Sequence, residues 1–221
     1  MWAKKEKRPC IIMTETGPYL VTGLKRLVGP GGERLQVKAV TSLCRCGASK
    51  DKPYCDGSHV DLGFECKKFP ERTRDRTKRY AGENITILDN RGVCSHNRAC
   101  VKGLPEVFRK DQRPWIDPDG APVPKIIEII EKCPSGALSY ELGGHHLGNL
   151  DRDPAIQVDP HGPLEVVGDI EIRDNAGTTP QMSEHYTLCR CGETKNCPFC
   201  DGSHFDVFGD PDAQPDEPDS P

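Results

Sequence analysis

Apolar and polar residues alternate only in short stretches along this chain. Ile11-Ile12-Met13-Thr14 and Tyr19-Leu20-Val21-Thr22 are β-type runs on either side of a Thr-Gly-Pro turn. A second turn, Gly29-Pro30-Gly31-Gly32, precedes a further run from Leu35 to Val40. The glycines there have the composition of a phosphate cradle, but no Lys-Ser/Thr and no helical pattern follows, so they read as a plain turn. Ala155 to Ile172 repeats the same arrangement. Between the two stretches, Asn84 to Leu88 predicts a strand. Pro124 to Lys132, with Ile126, Ile127, Ile129 and Ile130, predicts a short helix with one buried face, and Ala137 to Tyr140 predicts a closing strand.

Such short elements leave little room for one continuous core. Hydrophobic residues are 35% of the 221, aromatics 6%, and mean hydropathy is −0.62. Small units of this kind need staples, either disulfides or metals. The candidates are 12 Cys and 7 His. No apolar run approaches the roughly 18 residues of a membrane span, and Met1 to Pro9 has no signal-type apolar segment. The expectation is a cytoplasmic protein without membrane contact, its thiols kept reduced and its cysteines serving as metal ligands. A formal charge of −4 lacks the basic excess of a nucleic-acid binder.

The cysteines fall into a repeat. Cys44-Arg45-Cys46-Gly47 recurs as Cys189-Arg190-Cys191-Gly192, and Cys55-Asp56-Gly57-Ser58-His59 recurs as Cys200-Asp201-Gly202-Ser203-His204, with a constant offset of 145 residues. Pro53 and Pro198 keep the same offset. Each copy presents three thiols and one imidazole. Cys55 and His59 are four apart, as are Cys200 and His204, so one helical turn would face each pair the same way. Asp56-Gly57-Ser58 offers N-capping oxygens where that turn would start. Three thiolates and an imidazole also describe a structural zinc site, although zinc ligands usually pair as C-x2–4-C.

The string C-x-C-x2-S/T-x3-P-x-C-D-G-S-H resembles the CDGSH iron–sulfur domain of the mitoNEET family, and it fits at every signature position in both copies. The resemblance implies two 2Fe–2S clusters, one held by Cys44, Cys46, Cys55 and His59, the other by Cys189, Cys191, Cys200 and His204. It also implies modules that pair about a twofold axis. Two copies in one chain could form that pair internally, as a monomer. A ligand imidazole raises the potential above that of an all-Cys cluster and competes for protons. Redox is therefore expected to depend on pH, and His59→Cys with His204→Cys to make the clusters more acid-stable.

Tyr80 to Leu142 resembles a divergent single-cluster ferredoxin, carried by Cys94-x5-Cys100-Val101, Pro105-Glu106-Val107-Phe108 and Cys133-Pro134-Ser135-Gly136. The middle thiolate of the bacterial ferredoxin run is replaced by Asn97. Cys94, Cys100 and Cys133 favour a 3Fe–4S cluster. A 4Fe–4S cluster would need a fourth ligand from His96, Asn97, water or Cys66. The alternative is a domain without a cluster, its three cysteines merely buried.

The expected organisation is small β-rich modules plus α+β. A first CDGSH β-cap module covers 1–66, a charged linker 67–79, a ferredoxin-like α+β domain 80–150, a second CDGSH module 151–209, and a disordered acidic tail 210–221. Cys197 reads as a free thiol and His145-His146 as a flexible loop. With no nucleophile–base pair and no dinucleotide fingerprint, the chain reads as an electron-transfer protein rather than an enzyme, its partners redox proteins or apo-cluster acceptors.

Overall fold

The computed structural model describes residues 8–212. In the first copy the strands are β1 (Cys10–Ile12), β2 (Tyr19–Thr22), β3 (Leu27–Val28) and β4 (Val40–Leu43), followed by a single helical turn α1 (Ser58–Asp61). The second copy repeats these as β9 (Ala155–Val158), β10 (Leu164–Val167), β11 (Glu171–Arg173), β12 (His185–Leu188) and α4 (His204–Phe208). The run expected over Leu35 to Val40 forms no strand before Val40; Leu35 and Val37 instead pack as loop residues against the core.

The two copies exchange strands. One sheet runs β11-β1-β2-β4 and the other β12-β10-β9-β3, so each copy lends its third strand to its sibling. Both exchanged strands pair in parallel: β11 with β1, through Cys10–Glu171 to Ile12–Arg173, and β3 with β9. The apolar faces then meet in one core. Ile11, Tyr19, Val21, Leu27 and Leu43 of the first copy pack with Ile156, Val166, Tyr186 and Leu188 of the second. Neither small sheet could bury its apolar face alone, and pairing them inside the chain solves that.

The middle domain has its own four-stranded sheet, β5-β6-β7-β8, formed by β5 (Thr77–Ala81), β6 (Thr86–Asn90), β7 (Leu138–Leu142) and β8 (His145–Leu147). Two helices, α2 (Ala99–Gly103) and α3 (Val123–Ile130), accompany it. As the isoleucine spacing predicts, Ile126, Ile129 and Ile130 bury one face of α3, here against Ile87, Val107 and Phe108.

Two segments differ from expectation. The end of the charged linker, Thr77 to Arg79, is already part of β5, an edge strand whose side chains are mostly exposed, so its composition reads as linker while its backbone pairs with β6. His145 and His146 lie in β8, turned back onto β7 through Gly143-Gly144, both at positive φ. The His146 ring nitrogen hydrogen-bonds the Ser139 hydroxyl at 2.9 Å, which fixes this hairpin. No described helix is long and apolar enough to cross a membrane.

One half-buried carboxyl, on the face of β10 turned away from the shared core and beside His204, carries a pH dependence. Burial, reinforced by Asp159 and opposed by Arg152, pushes Glu165 on β10 up to about 7. A raised carboxyl stabilises the fold fully below its unfolded value and loses that contribution as pH rises through the folded value. Glu165→Gln is therefore expected to match wild type at pH 4, below the unfolded carboxyl value, and to melt higher at pH 8, by about 1–2 kcal/mol or roughly 3–6 °C. Thermal unfolding of both proteins across that range checks it; a constant difference would remove Glu165 as the cause.

Candidate iron–sulfur centres

The two repeated loops are built alike. Cys44 and Cys189 leave the ends of β4 and β12, where their amides donate to Pro53 O and Pro198 O at 2.8 Å each. Both prolines follow a cis peptide bond. Ser49 and Thr194, the S/T of the motif, close the loops by donating to Tyr54 O at 2.6 Å and Phe199 O at 2.7 Å. The motif aspartates anchor the helical turns: Asp56 accepts from Lys50 N, Ser58 N and Ser58 Oγ, and Asp201 from Lys195 N, Ser203 N and Ser203 Oγ. The Lys50 amide and then the Ser58 hydroxyl hold the Asp56 carboxyl far below the usual range. The expected side-chain N-cap does not form: Gly57 caps α1 and Ser203 α4 without a side-chain bond, the aspartates close Asx turns just ahead of them, and Gly57 and Gly202 take the positive φ that the corner requires.

These loops gather the candidate ligands in pairs. Cys44 Sγ and Cys46 Sγ are 3.9 Å apart, and Cys189 Sγ and Cys191 Sγ 3.4 Å. Cys55 Sγ lies 3.3 Å from His59 Nδ1, and Cys200 Sγ 3.2 Å from His204 Nδ1. Two donor pairs per loop, soft thiols on one side and thiol plus imidazole on the other, fit a dinuclear iron–sulfur group with one pair to each metal. The Cys191 thiol donating to Cys189 brings Cys189 down to about 7 and holds Cys191 up, while burial holds Cys200 far up. Buried thiols of this kind lose their protons to a metal rather than to water.

The arginine between the paired cysteines is a contributor the sequence reading passed over. Arg45 donates to Thr14 O and Glu15 O, and Arg190 to Asp159 O, Pro160 O and Gly162 O, so each buried guanidinium ties its ligand loop to the turn ahead of the second strand. Its recurrence at the repeat offset was the available signal.

Cys94, Cys100 and Cys133 line one small cavity with Asp89, Arg91 and Asn97. Burial raises the Cys94 thiol to about 11, and burial together with Cys133 raises Cys100 to about 12. Three half-buried thiols around a shared space fit an iron–sulfur group here as well. Cys66 cannot supply a further ligand, because it forms a disulfide with Cys197. That bond corrects two expectations, a chain of reduced thiols and a free Cys197. The partners lie 131 residues apart, and Lys52 occupies Cys197's place in the first copy.

Two family models match the chain. One, described as an iron-binding zinc finger of CDGSH type, matches residues 16–60 and again 161–205; the other, a divergent 4Fe-4S mono-cluster domain, matches 80–143. The chain is also 41% identical over 85 residues to the uncharacterized protein YjdI of Escherichia coli K12. That match covers 38% of this chain and 95% of YjdI, and the YjdI of strain O157:H7 matches equally. The chain belongs to the CDGSH iron-binding family. Its two CDGSH domains flank a divergent 4Fe-4S mono-cluster domain, and it binds iron–sulfur groups. No solved structure matches it.

The two CDGSH sites differ in their surroundings. Cys189, Cys191, Cys200 and His204 are all buried, whereas Cys46, Cys55 and His59 are only half-buried. The difference comes from the mono-cluster domain, which among the described residues packs its Gly92-to-Arg98 segment on the second CDGSH domain. Asn196 Nδ2 donates to Gly92 O at 2.8 Å, and the His96 ring lies against Gly202. Arg98 stacks on Phe205 at 4.7 Å and pairs with Asp210 and Asp212. The chain is therefore ordered at 210–212, which were expected to be tail; 213–221 lie outside the described residues. Asn196 corresponds to Asp51 in the first copy, which is exposed and makes no such contact with this domain. A water-soluble iron chelator is expected to empty the first site at least several-fold faster than the second. Visible circular dichroism of His59→Cys and His204→Cys proteins would assign the phases, and equal rates would contradict the burial difference.

Proposed function

We propose that this chain is an electron-transfer protein whose second CDGSH domain stands between the mono-cluster domain and the first CDGSH domain. The observation that carries this reading is the continuity of the three ligand loops. His96, between Cys94 and Cys100, rests against Gly202 of the second CDGSH loop. The second loop meets the first back to back: a Cβ on Gly47 would overlap the Cys191 carbonyl, and one on Gly192 the Cys46 carbonyl.

In this reading Cys44, Cys46, Cys55 and His59 hold one 2Fe–2S group and Cys189, Cys191, Cys200 and His204 a second. Cys94, Cys100 and Cys133 hold a 3Fe–4S group, or a 4Fe–4S group with Asn97 on the cavity wall or water completing it. When bound, these groups supply one-electron redox chemistry. The chain's own part is to keep the loops in contact, to exclude water from the second site, and to leave the half-buried first site open to a redox partner protein. Strand exchange within the chain lets it work as a monomer, and a cytoplasmic setting keeps the ligand thiols reduced.

Iron and acid-labile sulfide per chain, measured on anaerobically purified protein, test the ligand assignment. About 7 Fe with about 8 sulfide corresponds to two 2Fe–2S groups and a 3Fe–4S group; about 8 of each to a 4Fe–4S group in the middle. About 4 of each would leave the mono-cluster domain as scaffold and end the three-centre reading. A second reading, storage and transfer of 2Fe–2S groups to apoproteins, draws on the exposure of Cys46, Cys55 and His59. Transfer to an apo-ferredoxin without reversible cycling would favour it.

A further inference from the structure

We propose that the Cys66–Cys197 disulfide is a thiol–disulfide exchange site for a small peptide-like thiol of the glutathione class. Both of its residues line a cavity of about 760 Å³, within the usual range for small-molecule sites. Lys67 and Lys68 line that wall together with Glu15, Asp75 and Asp174, so charges of both signs surround a space suited to a zwitterionic thiol. Cys66 is half-buried and Cys197 buried, which directs attack to the Cys66 sulfur.

The exchange balances without any other reagent. A thiolate sulfur bonds to Cys66 Sγ as the Cys66–Cys197 bond breaks, and Cys197 departs with the electron pair and takes a proton from water. A second small thiol then attacks the small-molecule sulfur of the mixed disulfide, releasing the Cys66 thiolate and the oxidised small disulfide. Two thiols thus supply the two electrons.

The surrounding backbone holds both ends while the bond is open. Phe69 N donates to Lys195 O at 2.9 Å and Cys66 N to Glu15 O at 2.8 Å, and Lys68 and Asn196 form a β-bridge. The reduced sulfurs therefore remain neighbours and can close again. The other ten described cysteines are all free thiols, nine of them in the candidate ligand sets. Surroundings that keep those nine reduced bring the same thiols to this disulfide. The Cys66–Cys197 pair has no counterpart across the repeat, since Lys52 occupies the position equivalent to Cys197.

The test uses the full cluster-loaded chain and reduced glutathione at millimolar concentration, followed by alkylation and peptide mass spectrometry. Alkylation at both Cys66 and Cys197, with iron per chain unchanged, is expected. With oxidised glutathione, Cys197→Ser is expected to trap an adduct on Cys66 at least tenfold faster than Cys66→Ser traps one on Cys197. A disulfide that stays closed in glutathione, or that only a protein dithiol opens, would overturn the proposal. Equal trapping by the two variants, or iron lost in step with reduction, would do the same.

Discussion

Gly47→Ala is expected to lower iron at both CDGSH sites together and to destabilise their shared fold by about 3 kcal/mol or more. Gly47 has φ +79°, which a side chain tolerates poorly, and its added Cβ would run into the Cys191 carbonyl across the pair. The obstacle is the backbone of a ligand residue, so it cannot swing away as a side chain could. Relief requires separating the loops, and each loop carries ligands of a different site. Gly192→Ala, with φ +89° and the Cys46 carbonyl in its path, is expected to behave in the same way. Iron analysis and thermal unfolding read the effect; loss confined to the mutated copy would mean that the loops do not depend on each other.

Gly202→Ala is the second large effect, and Gly57→Ala is its internal control. Both glycines sit at the same point of the repeat, at φ +97° and +96°, so backbone strain is equal. Their surroundings are not. A Cβ on Gly57 meets nothing within 4 Å, while one on Gly202 lies 2.8 Å from His96 Cδ2. The difference between the variants therefore isolates the docking of the mono-cluster domain. Gly202→Ala is expected to expose the second site, bringing its chelation rate up toward that of the first, and to slow reduction of the second centre through the mono-cluster domain at least tenfold. Gly57→Ala should leave both unchanged apart from strain at its own loop. Stopped-flow reduction and chelation record both quantities, and identical behaviour of the two variants would break the proposed order of centres.

The repeat was legible because each ligand loop needs the same residues wherever it occurs. The offset read from Cys44 and Cys189 extends to every strand, from Cys10 and Ala155 to Val40 and His185. The strand exchange was not legible. It rests on β3 and β11, two and three residues long, too short to show a period, and parallel pairing with a sibling copy leaves no local mark. β5 was hidden by its charges, which face solvent from an edge. The disulfide was hidden by the 131 residues between its partners and by the expectation that thiols outside the ligand sets stay reduced. The asymmetry between the sites had one faint signal, Asn196 against Asp51, whose meaning depends on where the middle domain docks.

In a protein that pairs two identical chains, every substitution is made twice, on both sides of the axis. Here the pairing lies within one chain, so a codon can change in one half and leave its twin alone. Tyr19 exploits that freedom: its hydroxyl reaches across to Cys189 O and Pro198 O, and the matching position in the other half is Leu164. One gene thus permits what a symmetric assembly forbids, two descendants of a single ancestor settled in different environments and free to take up different duties.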